Sequence, residues 1–189
     1  MKQVADSETA TILQNARETL SLPGDFVELG CYEGDTSLLL AEILWDAKVS
    51  DKKLWIYDSF EGLPAKSSED FSAAGEAFTE GVLSVSKREV KLRFLRAGLP
   101  VPVIKKAWFS DLTDADLPSK ISFAFLDGDL YQSIKDSLKL VEDKMVDGGV
   151  ILVHDYNNPE LPGVTKAVDE WLGGRKLIQK DTLAIIKSA

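Results

Sequence analysis

Ionisable residues follow two apolar runs that have the length of buried strands. Asp127 and Asp129 come directly after the first run. His154 and Asp155 come directly after the second run, 150–153. In an open α/β sheet, ligands bind in the crevice beyond the carboxyl ends of the strands, so we expect these side chains to meet at one site. An imidazole, with a pKa of about 6.5, can act as a base at neutral pH, and Asp129 is the alternative base. The pattern indicates an enzyme.

Apolar runs of strand length recur along the chain with helical patterns between them. The predicted strands are 25–30, 54–58, 101–108, 121–127 and 150–154. Runs that are apolar at consecutive positions suit strands covered on both faces, as in a parallel sheet with helices on either side. We therefore predict an α/β fold, a Rossmann-like three-layer sandwich whose sheet is mainly parallel.

The end of the chain shows a different pattern. The last two predicted strands, 176–179 and 183–187, are joined only by Lys180, Asp181 and Thr182. This connection is too short for a parallel crossover, so these strands are predicted to form an antiparallel hairpin.

Three helices have recognisable positions. Ser86 and Glu89 form a capping box and Gly98 a stop signal for a helix between them. Helices are also predicted at 38–45 and 131–145, and Asp129 is placed to cap the second of these. The segment 64–81 is rich in Ser, Ala, Glu and Gly, so we predict a weakly packed, mobile flap beside the site. The alternative is an exposed segment without a function.

Composition fits one globular domain over residues 1–189, with 44% hydrophobic and 28% charged residues. The net charge of -9, without a run of Lys or Arg longer than two, argues against a nucleic-acid partner. No apolar segment approaches the roughly 18 residues that span a bilayer, and the first residues lack an apolar signal core, so we expect a cytoplasmic protein. The single cysteine, Cys31, excludes thiolate metal clusters.

The turn after the first strand indicates the cofactor class. A dinucleotide fingerprint that begins at Gly30 needs glycines where this chain has Tyr32 and Asp35. Glu28, Glu33 and Asp35 would also repel a pyrophosphate. S-adenosylmethionine carries a sulfonium and an ammonium against one carboxylate, so it suits an acidic turn better.

Further cofactor contacts are predicted at the ends of the neighbouring strands. Asp58 can accept both hydroxyls of an adenosyl ribose, and Trp108 can line an adenine pocket, although core packing is the alternative for Trp108 or Phe109. Cys31 is a small packing residue of the turn and not a nucleophile. The predicted cofactor-binding residues are Glu28, Gly30, Cys31, Tyr32, Gly34, Thr36, Ser37, Asp58, Ser59, Trp108 and Asp127.

Six segments together resemble class I S-adenosylmethionine-dependent methyltransferases, and specifically the macrocin O-methyltransferase family, which modifies antibiotic sugars and phenols. The segments are 23–30, 58–64, 85–90, 108–109, 126–131 and 162–168. The resemblance implies a seven-stranded sheet with an antiparallel final hairpin, which agrees with the hairpin predicted above. It also implies a divalent metal, held by acids, that orients a substrate hydroxyl.

The resemblance assigns the metal ligands by matching position. These are Asp127 at the end of the fourth strand and the pair His154 and Asp155 at the end of the fifth. The family usually has two acids at that pair, so His154 is a departure that puts Mg²⁺ in doubt and favours an ion such as Mn²⁺. A broader group of small methyltransferases resembles 148–156 without an assured metal. Catechol O-methyltransferases, which are similar here, have a lysine base where this chain has Leu130.

The predicted reaction is direct attack of a hydroxyl of a small sugar or phenolic acceptor on the methyl group of S-adenosylmethionine. Asp127 and Asp155 would hold the ion, and His154 would be the base, a ligand or a structural residue. A dinucleotide or nucleotide-sugar oxidoreductase and a non-catalytic S-adenosylmethionine-binding module are the alternatives. The oligomeric state stays open, with a homodimer as one option.

Overall fold

A computed structural model describes residues 4–188, which form five α-helices and seven strands. In chain order the elements are α1 (Asp6–Glu18), β1 (Asp25–Leu29), α2 (Asp35–Asp46), β2 (Leu54–Asp58), α3 (Lys87–Ala97), β3 (Val103–Lys106), β4 (Ile121–Leu126), α4 (Tyr131–Glu142), β5 (Met145–Val153), α5 (Pro162–Leu172), β6 (Ile178–Lys180) and β7 (Leu183–Lys187). None of the described helices is long and apolar enough to cross a membrane.

The strands form one seven-stranded sheet in the order β3-β2-β1-β4-β5-β7-β6. Strands β1 to β5 pair in parallel, whereas β7 is antiparallel to both β5 and β6. The predicted Rossmann-like α/β fold with an antiparallel C-terminal hairpin is therefore confirmed. The strand order reverses between β1 and β4, and in such sheets the ligand crevice lies beyond the carboxyl ends at that reversal.

Two hydrophobic cores cover the two faces of the sheet. One core contains apolar residues of α4 and α5, and the other contains those of α1, α2 and α3. Strand β4 contributes to both, because Leu126 faces the first core while Phe123 and Phe125 face the second. All six β4 residues are buried, as the continuous apolar run predicts for a central parallel strand.

Several predicted boundaries differ from the structure. Strand β3 is shorter than 101–108, and β5 is longer than 150–154 because pairing with β4 begins at Met145. Helix α2 begins at Asp35, directly after Gly34, and not at residue 38. Helix α4 ends at Glu142 because a turn is needed before β5. The helix with the Ser86 capping box and the Gly98 cap is confirmed.

The segment 64–81 has little regular structure beyond the short turn Ser68–Asp70. Phe71 is 72% exposed, as weak packing predicts, but Asp70 is only 1% exposed. Phe78 is partly buried against the core of α4 and α5. The segment is therefore attached to the body at defined points, and its mobility stays a prediction.

Candidate active site

A cavity of about 290 Å³ lies at the carboxyl ends of the central strands. Loops after β1, β2, β3, β4 and β5 line it, together with residues of α1 and of the segment 64–81. Most of the predicted site residues line this cavity: Glu28, Gly30, Cys31, Tyr32, Thr36, Asp58, Ser59, Trp108, Asp127, Asp129, His154 and Asp155. The structure thus brings together the acids of four strand ends.

Gly34 and Ser37, predicted as cofactor contacts, do not line the cavity. Gly34 precedes α2 with a φ of +83°, and a Cβ there would lie 3.2 Å from Val90 Cγ1. The Ser37 hydroxyl is buried and donates a hydrogen bond to the Glu28 carboxylate. Both residues therefore support the turn and lie outside the ligand space: Ser37 binds Glu28, and Gly34 leaves room for Val90.

Gly30 allows the loops after β1 and β4 to approach each other. Its φ is +90°, and a Cβ at this position would lie 2.0 Å from the carbonyl oxygen of Asp127. A larger residue would displace the backbone that carries Asp127, so glycine is required here for packing as well as for conformation.

Asp58 organises the turn after β1. Its Oδ2 accepts hydrogen bonds from the backbone N–H groups of Cys31 at 2.9 Å and Tyr32 at 3.2 Å. Its Oδ1 accepts one from the N–H of Phe60 at 2.7 Å. Asp58 therefore connects β2 to the glycine turn, and the predicted contact with ribose would be additional to this role. Ser59 has a local partner, since its hydroxyl donates to the carbonyl oxygen of Gly62 at 3.0 Å.

Glu28 is an acid that lines the cavity and is only 1% exposed. Burial raises its pKa from 4.5 to about 8, against the hydrogen bond from Ser37 and with the help of the negative charges of Asp127 and Asp58. These surroundings therefore favour the neutral form of this carboxyl group at pH 7. A cation bound beside Glu28 would lower this pKa and favour the ionised carboxylate.

The other acids of the turn are partly neutralised by a cation. Arg93 of α3 donates to the backbone oxygen of Glu33 at 2.6 Å and to the Asp35 carboxylate. The expectation that Glu28, Glu33 and Asp35 provide three negative charges is therefore only partly correct. The cavity is nevertheless lined by eight acidic residues and by no Lys or Arg among the described residues. Its negative character comes mainly from the ends of β2, β4 and β5.

His154 lies among three carboxylates. Its Nδ1 is 2.9 Å from Asp127 Oδ1 and 3.1 Å from Asp155 Oδ2. Its Nε2 is 3.4 Å from Glu8 Oε2. Burial lowers the pKa of His154, but the charges and hydrogen bonds of these acids outweigh burial and raise the pKa well above its ordinary value. These acids therefore favour the imidazolium form of the ring, which cannot accept a further proton.

Glu8 is a site residue that the sequence analysis did not identify. It extends from α1, is 6% exposed, and its Oε1 accepts a hydrogen bond from the backbone N–H of Thr182 at 3.2 Å. The hydrogen bond to His154 is the largest of the interactions that lower its pKa to about 2. Its partners lie 146 and 174 positions away along the chain, so no local pattern could have indicated this role.

Asp129 lines the cavity and adopts a left-handed backbone conformation, with a φ of +60°. Burial raises its pKa well above 3.8, and the negative charges of Asp127 and Asp155 raise it further. The prediction that Asp129 caps α4 is wrong. Residue 130 precedes the helix without a side-chain cap, and the N–H of Tyr131 donates to Asp70 at 2.7 Å. The Asp129 carboxyl group is therefore available to the cavity.

Two aromatic residues follow β3. Trp108 and Phe109 both line the cavity, and Phe109 also packs against the core of α4 and α5. A Cβ on Gly128 would lie 3.2 Å from Phe109 Cε2, so the loop after β4 runs directly over that ring. Trp108 keeps its predicted place beside the ligand space, and Phe109 has the packing role that was its alternative.

The donor set suits a divalent cation. Asp127, His154 and Asp155 each offer one ligand atom, and these atoms lie within 4.8 Å of one another. Nδ1 of His154 faces both carboxylates, while Nε2 faces Glu8, and a carboxylate behind a ligating imidazole is the usual outer partner at metal sites. Two oxygens and one imidazole nitrogen favour Mn²⁺, Fe²⁺ or Zn²⁺ over Mg²⁺.

Comparison with known proteins assigns the family. The model of the macrocin O-methyltransferase (TylF) family matches residues 7–186, which is almost the whole chain. The chain belongs to the macrocin O-methyltransferase family. The resemblance found in the sequence is thereby confirmed. Family membership gives the nucleotide oxidoreductase alternative no support.

Relatives of this macrocin O-methyltransferase family member are known by sequence and by structure. The 8-demethyl-8-(2,3-dimethoxy-alpha-L-rhamnosyl)-tetracenomycin-C 4'-O-methyltransferase of Streptomyces olivaceus is 30% identical over 152 residues, covering 76% of this chain and 58% of that relative. The structure of the O-methyltransferase NovP has a TM-score of 0.86 at 28% identity and covers 98% of this chain and 81% of that one. The O-methyltransferase from Bacillus cereus, solved in complex with SAH, shares the fold at 13% identity with a TM-score of 0.65, covering 98% and 83%.

The match to the curated relatives covers only part of their length. It spans 58 to 64% of the length of the curated relatives that it matches. Activity and acceptor are therefore matters of proposal for this chain.

Proposed function

We propose that this protein is an S-adenosylmethionine-dependent O-methyltransferase that acts on a hydroxyl group of a small sugar or phenolic natural product, assisted by a divalent ion. The observation that carries this proposal is the cavity in which the acids of β1, β2, β4 and β5 meet, in a chain of the macrocin O-methyltransferase family. The relative from Streptomyces olivaceus named above is a tetracenomycin-C 4'-O-methyltransferase, and a protein of the same fold was solved in complex with SAH.

The donor side of the cavity is assigned to the loops after β1, β2 and β3. When bound, S-adenosylmethionine supplies an electrophilic methyl group whose transfer leaves the S-adenosylhomocysteine thioether. The carboxyl group of Glu28 can ionise beside a cationic group of the cofactor. Asp58, at the end of β2, is assigned as the acceptor for the hydroxyl groups of the ribose. Trp108 offers an aromatic face for the adenine ring.

The acceptor side is assigned to the loops after β4 and β5. Asp127, His154 and Asp155 would hold the ion, which as a Lewis acid lowers the pKa of the acceptor hydroxyl. Asp129 is assigned as the base that takes the hydroxyl proton on a carboxylate oxygen, because its raised pKa brings a carboxylate closer to the working pH. His154 is a poorer base, since both ring nitrogens face carboxylates.

A methyl-transfer assay tests the proposed function. Purified protein, S-adenosylmethionine and Mn²⁺ are incubated with demethylated rhamnosyl and phenolic glycosides, and mass spectrometry detects the methylated product and S-adenosylhomocysteine. We expect transfer to at least one hydroxyl acceptor and its loss in Asp127→Asn. Binding of S-adenosylhomocysteine without turnover of any acceptor would instead support a non-catalytic binding module.

The metal is tested separately. We expect the enzyme to bind Mn²⁺ with higher affinity than Mg²⁺, because one ligand is an imidazole. Electron paramagnetic resonance measures the binding of Mn²⁺ and its displacement by added Mg²⁺. Asp155→Asn should weaken Mn²⁺ binding at least about tenfold, whereas Glu33→Gln at the cavity rim should not. Full activity after chelation, with no Mn²⁺ bound, would contradict the role of the ion.

A further inference from the structure

Asp70 is a buried carboxylate outside the acid cluster of the cavity. It ends the short turn Ser68–Asp70 and is 1% exposed. Its Oδ1 accepts a hydrogen bond of 2.7 Å from the backbone N–H of Tyr131, the first residue of α4. Its Oδ2 accepts bonds from Ser67, of 2.9 Å from the backbone N–H and 2.6 Å from the hydroxyl. Both oxygens are thus used, and the segment 64–81 supplies the N-terminal cap of α4.

The same carboxylate touches the start of α5. A Cβ built on Gly163 would lie 2.0 Å from Asp70 Oδ1, so only a residue without a side chain leaves room for the carboxylate. Asp70 therefore lies between the N-terminal ends of α4 and α5. The partial positive charges of two helix termini stabilise one negative charge there.

Further contacts hold the segment against the loop between β5 and α5. The hydroxyl of Ser72 donates to the carbonyl oxygen of Pro159 at 2.6 Å. A Cβ on Gly75 would lie 2.0 Å from the carbonyl oxygen of Glu160, so the two backbones are in direct contact. Phe78 of the same segment lines the cavity. The position of the Phe78 ring in the cavity lining therefore depends on the contacts that hold the segment 64–81 in place.

These contacts converge on the two loops that carry the reacting acids. Tyr131 follows Asp129 by two residues, and α5 follows the loop that begins at Asp155. We infer that Asp70 is a positioning residue that holds the segment 64–81 and the loops after β4 and β5 in one arrangement, and so fixes the acceptor side of the cavity. This inference rests on the proposed function only in assigning that side to the acceptor.

Hydrogen exchange measures the attachment directly. The variants are Asp70→Ala, which removes the carboxylate, and Asp70→Asn, which keeps an acceptor for the Tyr131 N–H. Glu76→Gln is the matched control, because it removes one charge from an exposed position of the same segment. In Asp70→Ala we expect exchange at least about tenfold faster in 64–81 and in the first turns of α4 and α5. Asp70→Asn should restore part of the protection at Tyr131, and the control should match the wild type.

Binding and kinetics separate positioning from general stability. We expect the affinity for S-adenosylhomocysteine to stay within about twofold of wild type in Asp70→Asn, while the KM of the acceptor that wild type methylates rises at least about fivefold. If Asp70→Ala does not fold, the comparison of Asp70→Asn with Glu76→Gln carries the test. Unchanged exchange in 64–81 and in the first turn of α4 would overturn the inference. Exchange needs no turnover, so a protein that methylates nothing would refute the proposed function and leave this result intact.

Discussion

Glu28 shows how one buried acid can serve a cationic ligand. Its carboxyl group is almost fully buried and accepts a hydrogen bond from one hydroxyl group, that of Ser37. The neutral form of the carboxyl group is therefore favoured. A bound cation would restore the charge by providing the missing counterpart. We therefore expect Glu28 to lower the free energy of unfolding of the ligand-free protein and to raise the affinity for a positively charged cofactor.

This expectation gives a pH-dependent stability. The folded protein retains a proton on Glu28 up to about pH 8, whereas the unfolded chain releases it near the ordinary pKa of 4.5. Between these values the folded state binds more protons, so this group makes the free energy of unfolding fall as pH rises. Glu28→Gln keeps an acceptor for the Ser37 hydroxyl but cannot ionise, so it removes this group's contribution to the fall in the free energy of unfolding with pH. We predict that it stabilises the ligand-free protein by roughly 1 to 4 kcal/mol at pH 8 and by little at pH 5.

Urea unfolding of the ligand-free wild type and variant at both pH values measures this difference. The same variant should bind S-adenosylmethionine more weakly than wild type. A stability difference that is equal at pH 5 and pH 8 would show that Glu28 is ionised in the empty cavity.

The assignment of the base to Asp129 also belongs to the scale of single residues. Asp129→Asn keeps the size of the side chain but cannot take a proton. We predict a fall in kcat of about 10²- to 10⁴-fold with the affinity for S-adenosylhomocysteine retained. Single-turnover methyl transfer measures the chemical step, and Asp136→Asn on the exposed side of α4 is the control. A variant with wild-type kcat would return the base role to another group.

Several roles at this scale were predictable and several were not. Asp127, Asp129, His154 and Asp155 could be placed because each follows a buried strand, and parallel strands end at the same edge of a sheet. The third carboxylate beside His154 could not, since Glu8 reaches it from the other end of the chain. Ser37 was predicted to contact the cofactor but lies outside the cavity lining. Residue type alone does not show which residues of the first turn of α2 face the cavity.

At the scale of elements, the side chain of Glu8 links α1 to the acid cluster of the site. Glu8 contacts His154 at the end of β5 and Thr182 in the turn between β6 and β7. We predict that Glu8→Gln lowers the free energy of unfolding by about 1 to 3 kcal/mol and speeds hydrogen exchange in α1, because a buried charged hydrogen bond is lost.

Glu18→Gln is the comparison for this change. Glu18 lies at the exposed end of the same helix, 3.8 Å from Lys187, and such surface pairs contribute little. Chemical denaturation of both variants gives the comparison. Equal losses in the two would mean that Glu8 does not anchor α1.

Element boundaries were predictable where the local sequence determines them. Ser86, Glu89 and Gly98 determine the ends of α3 through local hydrogen bonds and a left-handed cap. The start of α4 was assigned to the wrong cap because its true partner, Asp70, lies 61 positions away. The parallel pairing of the central strands was predictable from the alternation of strands and helices, and the final hairpin was predictable from its short connection.

At the scale of the whole molecule, acidic side chains outnumber cationic ones around the cavity. Among residues 4–188, eight acidic residues and His154 line it but no Lys or Arg does, in a chain whose net charge is -9. Arg93 and the neutral form of Glu28 reduce the charge of the turn after β1, so the selectivity comes from the combined field of several strand ends. Such a field attracts a sulfonium and an ammonium group and repels a pyrophosphate.

Isothermal titration calorimetry of the purified protein with S-adenosylmethionine and with NAD, each in the same low-salt buffer, tests this selectivity most directly. We predict saturable binding of S-adenosylmethionine in the micromolar range or tighter and no heat of binding for NAD up to about millimolar concentration. Saturable binding of NAD together with no response to S-adenosylmethionine would contradict the account.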